Sequence, residues 1–181
     1  MKITFIGGGN MASAIIGGLL KQGFAPADLR VVEPLVENRQ RLVAAFGIAC
    51  LSVDDPAVPE CEVLLLSVKP QQMREALAPL SGKLSGQLVI SIAAGTRLAD
   101  MSRWLGGYGR LVRTMPNTPA LIGAGITGLY ADSGVDGEGR QQAERLAENR
   151  RRWIAAVERS PELARTENAF DLETDPGEMP S

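Results

Sequence analysis

Residues 3–12, Ile-Thr-Phe-Ile-Gly-Gly-Gly-Asn-Met-Ala, constrain the fold more than any other stretch of the chain. A short, mostly apolar run reads as a buried strand. It breaks at three glycines, and Met11-Ala12-Ser13-Ala14-Ile15-Ile16 continues with a helical pattern. This is the strand–turn–helix context in which G-x-G-x-x-G/A spacing has a mechanism. Gly7 permits the tight turn. Gly9 has no Cβ, so a phosphate can approach the backbone, and Ala12 lets the helix lie close to the strand. The helix start presents unpaired N–H groups and a partial positive charge. A tight turn that binds nothing satisfies the same spacing. Two features favour a ligand: the motif opens the chain, and Glu33 follows Val31-Val32 at the end of a second strand pattern. Glu33, with Pro34 beside it, stands 24 positions after Gly9. A ribose-binding acid is expected about 20 residues on.

The rest of the chain alternates in the same way. Helical patterns cover Met11–Gln22 (Met11, Ile15 and Leu19 on one face), Val36–Phe46 (Leu42, Val43 and Phe46 as apolar points), Gln71–Leu80 and Leu98–Leu105. Strand patterns cover Leu29–Val32, Ile48–Leu51, Val63–Val68, Leu88–Ile92 and Leu111–Thr114, with Gly125–Tyr130 as a candidate seventh. Val63-Leu64-Leu65-Leu66 is wholly apolar, as a strand covered on both faces should be. The expected fold is α/β: a Rossmann-type, doubly wound, mostly parallel sheet. Ligands of such sheets lie beyond the carboxyl ends of the strands. Those ends fall at Gly7–Asn10, Glu33, Ser67–Pro70, Ala93–Gly95 and Met115–Asn117.

Composition removes several functions. The chain has 181 residues and a net charge of −2, so no global field draws it to nucleic acid or to a membrane surface. No run approaches the roughly 18 apolar residues of a membrane span. There is no histidine, which excludes imidazole catalysis and a histidine-built zinc site. Cys50 and Cys61 are far from CxxC spacing, which suits buried thiols in a reduced, cytoplasmic setting.

Four motifs in order carry a resemblance: Phe5-Ile6-Gly7-Gly8-Gly9-Asn10-Met11-Ala12, Ser67-Val68-Lys69-Pro70-Gln71, Ser91-Ile92-Ala93-Ala94-Gly95, and Arg113-Thr114-Met115-Pro116-Asn117-Thr118-Pro119-Ala120. Together they resemble pyrroline-5-carboxylate reductase, over about residues 1–146. The resemblance implies reduction of the cyclic imine 1-pyrroline-5-carboxylate to L-proline with NADP or NAD as cofactor. It implies that Ile6 to Met11 hold the pyrophosphate and that Asp54 makes a polar contact to the adenosine half. Ser67, Val68, Lys69 and Pro70, with Ala93, Ala94 and Gly95, would line the nicotinamide side, Lys69 through its backbone. Asn117 would lie near nicotinamide and substrate. On the residues alone, Val68-Lys69-Pro70 also reads as a plain strand end, and the Lys69 ammonium as a solvated charge. Glu33 favours the ribose hydroxyls of NAD; Arg39 and Arg41 on the next helix read either as solvated charges or as offsets to its repulsion of a 2′-phosphate.

The family's pattern is lost after residue 146. The family continues into an all-helical domain that forms homo-oligomers, from dimer to decamer, and carries the catalytic hydroxyl; no catalytic residue is assigned here. Residues 147–181 read instead as a short atypical helix followed by an acidic, disordered tail. The abrupt join suggests a frameshifted or truncated product, a monomer or weak dimer with impaired turnover. Two other functions fit less well: a Rossmann oxidoreductase of the 3-hydroxyacid or F420 type, and a non-catalytic nucleotide-binding module. The Met-Pro-Asn-Thr-Pro stretch argues against the first, and the polar tail gives the second no interface.

Overall fold

Alternation along the first strand, β1 (Ile3–Ile6), sends its side chains into two separate cores. Ile3 and Phe5 face one side of the sheet and Ile6 the other, and all three are buried. The computed structural model describes residues 1–53, 55–116 and 127–147. Within them the elements run α1 (Asn10–Lys21), β2 (Leu29–Val32), α2 (Val36–Phe46), β3 (Ala49–Leu51), β4 (Val63–Leu66), α3 (Met73–Leu77), β5 (Leu88–Ser91), α4 (Leu98–Trp104), β6 (Leu111–Pro116), β7 (Thr127–Ala131) and α5 (Gly137–Ala147).

The seven strands form one sheet in the order β3-β2-β1-β4-β5-β6-β7. Every neighbouring pair is parallel except β6 and β7. α1, α2 and α5 cover one face, through Ala12, Ile16, Leu19, Leu42, Ala143 and Leu146. α3 and α4 cover the other, through Met73, Leu77, Leu98 and Met101. The order reverses beside β1: the chain winds outward to β3, then returns to pair β4 with β1, Ile6 level with Leu66. At such a reversal the loops leaving two adjacent strands part to opposite faces, which opens a crevice at their carboxyl ends.

The expected α/β class and doubly wound sheet are borne out. Several local expectations shift. The helix expected over Gln71–Leu80 is three pieces: a 3₁₀ turn at Pro70–Gln72, α3, and a second 3₁₀ turn at Ala78–Leu80. Pro79 supplies no N–H and crowds the preceding turn, so the α-helix cannot run through it. The buried face of α1 is Ala12, Ile16 and Leu19, with Met11 and Ile15 half-buried at its flank. On α2, Leu42 is fully buried in the core with Val31 of β2, while the next residue, Val43, is 49% exposed. Gly47 closes α2 at φ +65, its N–H bonded to Val43 O at 2.9 Å. α5, with Gly137 and Gly139 in its first turn, was not singled out by the sequence pattern. Residues 148–181 lie outside the described residues.

The two adjacent apolar residues of α2 should therefore behave differently. Leu42→Ala should lower stability by about 2–5 kcal/mol in urea unfolding, and Val43→Ser should change it by less than about 0.5 kcal/mol.

Candidate functional site

The carboxyl end of β1 turns sharply into α1, and three glycines make the turn. Gly7 sits at φ +99, and a Cβ there would lie 2.9 Å from Val68 Cγ1 and 3.0 Å from Ser67 O. Both the backbone angle and the nearness of β4's exit demand glycine. A Cβ on Gly8 would meet Leu42 Cδ1 at 2.5 Å and Glu33 Oε2 at 3.0 Å. A Cβ on Gly9 would meet nothing within 4 Å. The third glycine thus faces open space, and it is the N-cap of α1 at φ −71.

No side chain caps α1, and its first turn holds no acidic residue. The N–H groups at the start of this 12-residue helix have no intrahelical partner. They and the positive end of the helix dipole face the same opening as Gly9. A diphosphate fits here: the backbone can be approached closely, and no built-in side chain competes for the amides. Ala12, fully buried, lets α1 lie against the sheet.

The polar groups of Gly7 and Gly8 are already used. Gly7 N–H donates to Val32 O at 2.9 Å. Ser67 Oγ donates toward Gly7 O at 2.8 Å, with Ile6 O at 3.0 Å as a second acceptor. Gly8 N–H donates to Glu33 Oε2 at 2.8 Å, and Arg41 Nη2 donates to Gly8 O at 3.3 Å. Glu33 is only 6% exposed, and its other oxygen accepts Leu35 N–H at 3.0 Å. Its carboxylate therefore turns back into the bend instead of standing free at the strand end. Arg39 Nη1 donates to Glu33 O at 3.0 Å and Pro34 O at 3.4 Å. The two arginines, read from sequence as solvated charges or counter-charges for a phosphate, both hold backbone carbonyls.

The other candidates gather at the same end of the sheet. Ser67 and Val68, half-buried, and Lys69 and Pro70, exposed, follow β4. Ala93 is buried, while Ala94 and Gly95 are exposed beyond β5. Thr114 Oγ1 donates to Ser91 O at 3.2 Å, tying the ends of β5 and β6. The structure thus brings Ile6–Ala12, Glu33, Pro34, Ser67–Pro70 and Ala93–Gly95 to one crest. Asp54 and Asn117 lie outside the described residues. Sequence reasoning missed the Ser67 hydroxyl and Arg41 as supports of the bend. A serine closing the apolar run Val63–Leu66 was the available signal for the first. Among the described residues no cluster of three or more Cys, Asp or Glu is placed to hold a metal ion, and no helix is long and apolar enough to cross a membrane. Both cysteines are free. Burial pushes both thiols up, and Arg39 beside Cys50 works against that shift.

Comparison with known proteins agrees with this geometry. The family model described as NADP oxidoreductase, coenzyme F420-dependent, matches residues 2–95, and the chain belongs to that family. Within it, the similarity is to pyrroline-5-carboxylate reductases. The chain is 42% identical over 146 residues to the one from Pseudomonas aeruginosa, covering 80% of this chain and 54% of the relative. It is 42% identical over 155 residues to that from Haemophilus influenzae, covering 84% and 57%. The solved reductase from Coxiella burnetii superposes with a TM-score of 0.77 at 35% identity, covering 82% of this chain and 56% of that one. The resemblance carried by the four motifs is borne out. The chain spans about half the length of the curated relatives it matches.

Two outcomes follow from the bend and the thiols. Gly7→Ala should cost about 1–3 kcal/mol in urea unfolding, from its left-handed backbone and the Val68 contact. Iodoacetamide should label Cys50 and Cys61 at pH 8 more slowly than cysteine in an unstructured peptide, because raised pKa values leave less thiolate.

Proposed function

We propose that this chain is the dinucleotide-binding half of a pyrroline-5-carboxylate reductase, with residues 1–146 as the binding unit. NADH or NADPH lies across the ends of β1, β4 and β5. The observation that carries this reading is the open, uncapped start of α1 at Gly9, set at the reversal of strand order. Asn10 and Met11, with Gly9, offer backbone amides to the diphosphate. Ile6 and Ala12 shape the floor below it. Glu33 and Pro34 border the adenosine ribose, with Asp54 assigned to the same half. Ser67–Pro70 and Ala93–Gly95 flank the nicotinamide, and Asn117 is assigned to the substrate side.

Bound there, the reduced nicotinamide supplies the hydride that converts 1-pyrroline-5-carboxylate to L-proline. The iminium carbon is already electrophilic, so the protein's task is mostly to orient the ring and exclude water. A chain without histidine suits that task. Buried Ala93 and half-buried Val68 supply apolar wall beside the polar crest. The negative charge of Glu33 disfavours a 2′-phosphate, but its carboxylate is held in the bend by Gly8 and Leu35 N–H and the family description names NADP, so both NADH and NADPH are accepted. The family description also admits F420 chemistry, but the relatives at 42% identity are named pyrroline-5-carboxylate reductase, which places that reading second. We assign the chain to the cytoplasm. Assayed alone, these 181 residues bind the dinucleotide as a monomer or weak dimer and turn over substrate poorly.

The central test is fluorescence titration of the chain with NADH and NADPH. Saturable binding of both is expected; no binding of either refutes the reading. Gly9→Ser gives a sharper version. Serine is a good N-cap, so thermal stability should hold or rise. Its hydroxyl takes an amide that the diphosphate needs, so NADH affinity should fall about tenfold.

A further inference from the structure

All four backbone polar groups of Gly7 and Gly8 are satisfied within the chain, and two of the partners come from opposite sides of β1. Ser67, at the exit of β4, holds Gly7 O at 2.8 Å. Glu33, at the exit of β2, holds Gly8 N–H at 2.8 Å and is braced by Leu35 N–H at 3.0 Å. β2 and β4 flank β1 and do not pair with each other. A side-chain pincer therefore grips the bend across the width of three strands. Its consequence is positional: Gly7 and Gly8 have no N–H left for a ligand, so ligand contacts begin at Gly9 and the first turn of α1.

We propose that Ser67 and Glu33 are positioning residues that set the glycine bend before a dinucleotide arrives, and that Glu33 thereby links cofactor discrimination to diphosphate binding. This rests on the reading above that the dinucleotide lies at Gly9. A carboxylate that served only the ribose would leave its oxygens free for hydroxyls. Here one of them fixes the bend. Removing its charge to admit a 2′-phosphate would loosen the loop that holds the diphosphate. Such a variant loses NADH affinity without a matching gain for NADPH. Ser67 separates the two roles of Glu33. It stands on the far side of β1 from β2, away from the adenosine ribose but beside the nicotinamide position, so Gly8 exchange in the free chain, and not NADH affinity, reports on the bend alone.

The test uses the full 181-residue chain and the variants Ser67→Ala, Ser67→Thr and Glu33→Gln, each first checked for a melting temperature close to that of the parent. Amide hydrogen exchange is read at Gly8 in the free chain, and affinity is read for NADH, NADPH and adenosine. Ser67→Ala should speed Gly8 exchange and weaken NADH, each about tenfold, while leaving adenosine within about twofold. Ser67→Thr, which keeps the hydroxyl, should restore both. Glu33→Gln, which keeps the shape but turns one acceptor into a donor, should speed exchange at the same amide and weaken NADH. Unchanged Gly8 exchange in Ser67→Ala overturns the proposal, as does a Glu33→Gln loss equal for NADH and adenosine. Failure of the parent chain to bind NADH would instead refute the dinucleotide reading, and the exchange measurement would still decide whether the bend is preset.

Discussion

The structure depends on the place of β1 between β2 and β4. With Ile6 level with both Val32 and Leu66, three strands end on one line, and the chain has to leave that line in different directions. β1 turns through Gly7 into α1 on one face; β4 leads through Pro70 toward α3 on the other. The crevice is what remains between those departures. Its walls follow from sheet pairing, and its chemistry follows from which backbone groups the turn leaves uncovered. A parallel sheet supplies no side chain for this purpose. It supplies an edge of peptide groups and a helix end, which is why glycine and alanine, and not charged residues, dominate the motif.

Much of this was legible in the sequence because the signals were local. β1, β2, α2 and the strand core from Val63 have hydrophobic periods that match their elements, and Gly47 marks the end of α2. The spacing from Gly9 to Glu33 placed the acid at the right strand end. What was not legible depended on pairing or on interruption. Pro79 divides a segment whose apolar pattern alone suggests one helix. The direction of β7 is not a property of its own residues. It follows from the connection, since residues 117–126 are fewer than the dozen or so that a parallel crossover needs. α5 was hidden by its glycines and polar face; among the described residues, Ala143 and Leu146 are its points in the core cluster.

The inward turn of Glu33 belongs to the same class. Residue type and position pointed to a ribose ligand, but the direction of its carboxylate is set by Gly8, 25 residues earlier, through the register of β1 with β2. Likewise, a serine at position 67 reads as an ordinary strand end until its hydroxyl is seen against Gly7 O. Sequence locates the site well because the motif is contiguous. The supports of that motif come from three other elements, and only the assembled sheet brings them together.

The far rim of the sheet carries a separate consequence. The strand that stands there, β3, has three residues, fewer than any other strand described. A foreign segment adding to this rim would find too few amides and carbonyls to register against. Brevity therefore guards the molecule against fibre growth from that side, although Val36 and Val43 leave greasy surface close by.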